Sequence, residues 1–378
     1  MADSETEPSC WSRFQDCVSN CALHQYQVSS DQLSIVYSKN YDMGMFGMEK
    51  LHPFDTKKWG KIAQYLKDFI NNQNKRISFI APLRTIENEE LRLVHTDMFI
   101  KSLNTSKLFN AKATELSVLA ITPMSVIQTH LITPIKYQTA GSVLAGYLAL
   151  KHGYAINLGG GFHHCSSQSA GGFCLIADIT LLIKYLWAKV DSKLKVMIVD
   201  LDAHQGNGHE NDALEIREKD PSKKDQLYIL DMYNLSVYPH DHKAKEAIDC
   251  PIPLTCDIGD EEYLSLLKKN LPKATKTFQP DLIVYNAGTD ILAGDPLGAM
   301  EVSPKGVIQR DEFVFTHAKS ISSAIVMLTS GGYQKSNARV IADSLINLIE
   351  KKIIQFSLPD LNPLENRIKS GKPLFCKK

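Results

Sequence analysis

The chain has 378 residues, 44% of them hydrophobic, enough to build a substantial buried core. Its 42 Lys and Arg balance 42 Asp and Glu, so it lacks the basic field that releases phosphate counterions. Direct nucleic-acid binding is therefore not expected. No run approaches the roughly 18 apolar residues of a membrane helix; residues 175–190 come nearest, and Asp178 and Lys184 interrupt them.

In chain order, residues 1–32 are polar and lack periodicity. They read as an appended arm whose acidic start, MADSETEPSC, does not resemble a signal peptide. An intracellular protein is expected. Its eight cysteines, Cys10, Cys17, Cys21, Cys165, Cys174, Cys250, Cys256 and Cys376, are then free thiols without zinc-finger spacing. From Leu33 onward short apolar or β-branched runs predict strands at SIVYS, ISFIAP, YAINLGG, KVMIVDLDAH, LYILDMY, DLIVYNAG and AIVMLTSGG. Amphipathic stretches at 173–190, 260–278, 305–320 and 336–352 predict helices, with Asp260 as an N-cap. Such alternation implies a single α/β domain over 33–355, with a mainly parallel sheet flanked by helices and a tail at 356–378. Ligands bind beyond the carboxyl ends of such strands, so the loops there are the place to seek chemistry.

VDLDAHQGNGHE, residues 199–210, is the densest polar cluster. If the strand continues into it, Asp200, Asp202 and His204 fall on one side, since side chains alternate. Three polar groups at the end of an apolar strand are costly unless something binds them. A divalent ion such as zinc suits these donors, with a hydrogen-bonded loop cap as the plain alternative. An EF-hand fails, because Gln205 stands at its sixth position and Asn211 at its twelfth. A second strand end, DLIVYNAGTDILAGDPLG, carries Asp290 and Asp295. Either would complete a three-ligand zinc set, and either could be a turn aspartate.

NLGGGFHHCSSQSAGGFC, residues 157–174, fails as a dinucleotide fingerprint because His164 occupies the third glycine position. Tandem His163 and His164 after a glycine run suit proton transfer, although lone histidines are more often structural. A Cys165 nucleophile would leave the acidic cluster without a purpose. Finally, LTSGGYQK delivers Tyr333, which either packs or reaches into a cleft.

Taken in order, GGGFHH, GGFC, DLDAHQGN, AGTDILAGDPLG and SGGYQ resemble the histone deacetylases of the arginase–deacetylase superfamily from about Ile35 to about Ile349. LHPFDTKKWGKI and VHTDMFI agree, and DAHQGNGHE with TSGGYQK resembles class IV. The resemblance implies a metal-dependent lysine deacylase with one zinc ion on Asp202, His204 and Asp290. Asp290 is preferred to Asp295 because the family's ligand precedes the Gly-Asp-Pro turn. It also implies catalytic His163, His164 and Tyr333, Asp200 supporting His163, and a substrate tunnel at Gly172, Phe173 and Tyr238. Acylated lysine in histones or other proteins, corepressor partners and a nuclear or cytoplasmic location follow from the same resemblance.

Two departures stand out. Asn207 replaces the aspartate that most relatives place beside the second histidine. Asp231 replaces a serine at a structural potassium site, which would use Asp200, the backbone around Asp202 and His204, and Asp231. Class IV similarity also implies that long acyl chains are preferred. The alternatives are an acylpolyamine amidohydrolase of the same superfamily and a metal-bound scaffold without turnover.

Overall fold

A computed structural model describes residues 32–44, 55–73 and 77–356. The expected arm apart from Gln32, the tail apart from Phe356, and with them Cys10, Cys17, Cys21 and Cys376, lie outside the described residues. Seven strands, β1 (Ile35–Val36), β2 (Tyr154–Asn157), β3 (Val196–Asp200), β4 (Leu227–Asn234), β5 (Cys250–Leu254), β6 (Leu282–Asn286) and β7 (Ala324–Leu328), form one sheet. Their order is β1-β2-β7-β6-β3-β4-β5, and every pairing is parallel. β2, β3, β6 and β7 are buried at every residue. Both their faces are covered, so they read as unbroken apolar runs instead of alternations.

Helices α1 (Lys58–Asn71), α2 (Thr133–His152), α3 (Asp178–Lys189), α4 (Asn207–Lys219), α5 (Asp260–Phe278), α6 (Pro304–Ser320) and α7 (Asn337–Glu350) flank the sheet. The four predicted helices correspond to α3, α5, α6 and α7. α2 shows no apolar stripe because buried residues run almost all round it, from Ile135 through Leu150. α4 begins with Asn207 and Gly208, which read as loop residues. Asp260 is not the cap of α5: Gly259 is, and the Asp260 carboxylate instead accepts from Ser303 N at 2.7 Å and Ser303 Oγ at 2.6 Å. Ser303 in turn caps α6 by accepting from Gly306 N, with Pro304 in the first turn.

Two strand expectations change. ISFIAP makes only an isolated bridge, Ile80 to Val36, because its partner β1 is two residues long. Cys250–Leu254 was not expected, since Pro251 and Pro253 argue against a strand. It lies at the sheet edge, where alternate residues need no donor on the open side. One apolar core joins the sheet to the helices. Among the described residues no helix is long and apolar enough to cross a membrane. All strands being parallel, the loops after β2, β3, β4, β6 and β7 converge on one edge.

Candidate active site

The loop after β2 carries His163 and His164 on a turn that the chain fixes from below. Gly160 and Gly161 have φ of 74° and 80°, a region that favours glycine. The buried Asp178 carboxylate at the start of α3 accepts from Gly161 N at 2.9 Å, Phe162 N at 2.8 Å and Ser142 Oγ at 2.5 Å. Held this way, the two imidazoles stand with centroids 4.0 Å apart.

Their partners differ. His163 Nδ1 lies 2.9 Å from Asp200 Oδ2, and its Nε2 lies 3.5 Å from Asp202 Oδ1. Burial alone would depress the His163 pKa, but the Asp202 and Asp200 carboxylates outweigh it and raise it to about 9. His164 Nδ1 lies 2.8 Å from Asn207 Oδ1, on the first residue of α4. The Asn207 side chain also lies near the Asp241 carboxylate and helps to lower its pKa. Burial, then the neighbouring His163 and His204, holds His164 well below the ordinary imidazole range.

β3 ends at Asp200, so Asp200, Asp202 and His204 do not share one strand face as expected. Asp200 turns toward His163, while Asp202 and His204 continue into a loop and meet the loop after β6. There His204 Nδ1 lies 3.2 Å from Asp202 Oδ1 and 3.0 Å from Asp290 Oδ2. Asp202, His204 and Asp290 are all buried, with donor atoms within 4.8 Å of one another. Burial and the facing Asp202 carboxylate push the Asp290 carboxyl up. Two buried like charges beside an imidazole are the situation that a divalent cation relieves, so this trio fits zinc. Gly331 lets the last loop approach closely: a Cβ there would stand 2.6 Å from Asp202 Oδ2 and 2.7 Å from Asp290 Oδ2.

Asp295 has another task. Its Oδ1 accepts from Leu297 N at 3.0 Å and Gly298 N at 3.3 Å, and its Oδ2 from Tyr333 N at 2.8 Å. It is a turn aspartate that also anchors the backbone of Tyr333. The Tyr333 phenol is pushed well up by burial and by the Asp290 and Asp202 carboxylates, so it keeps its proton. Its ring stands edge-on to His204 and Phe173, with centroids 6.3 Å and 5.8 Å away. Gly172, Phe173 and Tyr238 gather at the mouth, where the Tyr238 ring meets His164 edge-on at 4.8 Å. Behind them an apolar cavity reaches Met43, Trp59, Leu131 and Ile135. Cys165 is buried, which pushes its thiol well up and disqualifies it as a nucleophile.

Several participants escaped the sequence reading. Lys58 looks like a surface charge in TKKW, yet it is fully buried and its Nζ donates to Ser330 O and Gly331 O. Asn286 donates to Asp200 Oδ1 at 2.9 Å, and Ser330 Oγ lies 3.2 Å from Asp202 Oδ2. A buried His209 lies against Asp200; its only signal was its place in the polar run QGNGHE.

Fold and site thus define an α/β protein with a carboxylate–imidazole trio that could hold a metal ion beside paired histidines. The histidines, trio and tyrosine lie within residues 52–349, which match the histone deacetylase domain. Histone deacetylase 2 of Arabidopsis thaliana is 43% identical over 330 residues, covering 87% of this chain and 82% of that one. Histone deacetylase clr6 of Schizosaccharomyces pombe is 27% identical over 327 residues, covering 81% and 74%. The crystal structure of the HDA15 HD domain has the same fold, with a TM-score of 0.65 at 20% identity, covering 86% and 90%. The chain belongs to the histone deacetylase family, and it is a hydrolase.

Proposed function

We propose that the chain hydrolyses the amide of N6-acyl-lysine in histones or other proteins with one zinc ion on Asp202, His204 and Asp290. The carrying observation is a pair of adjacent histidines beside that trio with different supports, a carboxylate for His163 and an amide oxygen for His164. Bound zinc would polarise the acyl carbonyl and lower the pKa of a water. His164 donates Nδ1–H to Asn207 Oδ1, which leaves Nε2 to accept the proton of that water. His163, whose Nδ1 is supported by the Asp200 carboxylate, returns a proton from Nε2 to the departing lysine amine. Tyr333 donates its phenol proton in a hydrogen bond to the oxyanion. Phe173 and Tyr238 flank the aliphatic stem of the lysine.

We assign the chain to the class IV type on DAHQGNGHE and TSGGYQK, with a catalytic domain over 33–355 between an arm at 1–32 and a tail at 356–378. A nuclear or cytoplasmic location and corepressor partners complete the reading. The apolar lining of the cavity, with Met43, Trp59, Leu131 and Ile135, supports a preference for long acyl chains. The implied potassium suits Asp231: burial, Asp200 and Glu210 push its carboxyl well up, which a cation would relieve. The test is turnover by zinc-loaded protein of acetyl-lysine peptide, myristoyl-lysine peptide and acetylated polyamine. Hydrolysis of acyl-lysine, faster for myristoyl, is expected. Polyamine turnover alone would overturn the lysine assignment, and zinc binding without turnover on any substrate would favour the scaffold.

A further inference from the structure

One helical turn reaches both catalytic histidines. Asn207, first in α4, holds His164; His209, two residues on, meets Asp200. His209 Nε2 lies 2.9 Å from Asp200 Oδ2, the same oxygen that lies 2.9 Å from His163 Nδ1. The other oxygen takes Asn286 Nδ2 at 2.9 Å and Asp202 N at 3.2 Å. A carboxylate offers about four lone-pair positions, and each meets a protein donor here. Gly206 makes this packing possible: a Cβ on it would stand 2.1 Å from His209 Nε2 and 2.6 Å from Asp200 Oδ2. His209 is buried, and its Nδ1 has no hydrogen-bond partner among the described residues. Among the described residues its one side-chain hydrogen bond goes to Asp200.

Building on the hydrolase reading above, we propose that His209 is a positioning residue for the reaction. It donates from Nε2 to the Asp200 oxygen that receives His163 Nδ1–H, and so fixes the direction in which His163 presents its own Nε2. It touches no reacting atom; its effect passes through Asp200 and His163. Without it Oδ2 keeps one donor, the carboxylate can turn, and the His163 ring loses its aim. Partners one step removed from the reacting groups typically carry about 10- to 100-fold of activity. Asp200, His209 and Asp231 also bring donor atoms within 4.8 Å of one another. A divalent ion bound there would make His209 a ligand instead of a donor, and the test separates the two.

The experiment compares zinc-loaded wild type with His209→Leu, His209→Gln and His209→Asn on one acyl-lysine peptide, recording kcat, KM, bound metal and thermal midpoint. A glutamine amide nitrogen reaches about where Nε2 sits, whereas that of asparagine falls short. The expected result is a kcat for His209→Leu lower by roughly 10- to 100-fold at unchanged KM and zinc content, recovered by Gln and not by Asn. Wild-type kcat in His209→Leu, equal kcat in the Gln and Asn variants, or a second divalent ion lost with His209 would each overturn the proposal. Where Leu prevents folding, the Gln–Asn comparison decides alone. A wild type inactive on every acyl-lysine peptide would overturn the hydrolase reading and this inference with it. An active wild type with an unaffected His209→Leu would overturn this inference alone.

Discussion

Asp200 and Asp202 stand two residues apart at the end of β3, 0% and 1% exposed, yet their surroundings are opposite in kind. Asp200 accepts from four donors, His163, His209, Asn286 and the Asp202 amide, with the Asp231 carboxylate beside them. Burial works against its charge, but His163 and His209 outweigh that and hold its pKa well below the carboxylate range. Asp202 faces another carboxylate across His204, and the unrelieved charge falls on Asp290, which is pushed up. The Asp202 flank also opens on the apolar cavity. Burial does not separate the two aspartates. The sign and number of the neighbouring charges do.

Removing a charge from the strained flank should have the largest effect. Asp290→Ala takes away an anionic donor, so bound zinc should fall to none and turnover to background. The thermal midpoint should drop and stop responding to added zinc, because binding to the native state alone is stabilising linkage. Asp295→Ala should keep its zinc, since that carboxylate is spent on backbone N–H groups. Metal analysis of the two variants checks this, and zinc retained by Asp290→Ala but lost from Asp295→Ala would reverse the assignment. Tyr333→Phe comes next. It leaves the ring and the trio in place and removes one donor to the oxyanion, so kcat should fall roughly 10² to 10³ with zinc intact. A raised KM at unchanged kcat would make Tyr333 a packing residue.

The same contrast explains what could be read in the sequence. The proposed ligands and the paired histidines stood out because polar groups ended apolar runs, and the family resemblance preferred Asp290 to Asp295. In the structure Asp295 caps a turn and Asp290 meets His204. What escaped were partners whose residue type carries no signal. Asn286 closes an apolar strand like any turn-forming asparagine, and Lys58 sits in a charged run. His209 lies on a helix whose first residues spell a loop. In the fold, β5 was hidden by two prolines, since edge position is a property of the whole sheet.

A change within the cavity should have a smaller and more selective effect. Leu131 lines it well away from the trio in sequence. Leu131→Trp should shorten the available space and lower kcat/KM for myristoyl-lysine by about tenfold while acetyl-lysine changes little, a step of the size that pocket shape usually gives. Equal losses on both substrates would show that the chain does not use this cavity for the acyl tail.

The smallest expected effect converts the neutral support of His164 into a charged one. Asn207 accepts the Nδ1–H of His164 without a charge, whereas Asp200 supports His163 with one. Asn207→Asp would add a negative charge at the same contact and favour the imidazolium, so the His164 pKa should rise. The fold should tolerate it, because position 207 opens α4, where an acidic residue suits the helix dipole. The sign follows directly. The base must be neutral to accept a proton, and a higher pKa means that the neutral form is lost at higher pH. The acidic limb of the kcat/KM profile should therefore move up, by about one unit for a partly compensated charge. The nearby Asp241 carboxylate resists through like-charge repulsion and limits the shift. The comparison is made on one pair of proteins with equal zinc content, so that any titrating water is common to both. A limb that stays in place would show that His164 does not set it, and would move the role of base to a group outside the Asn207 contact.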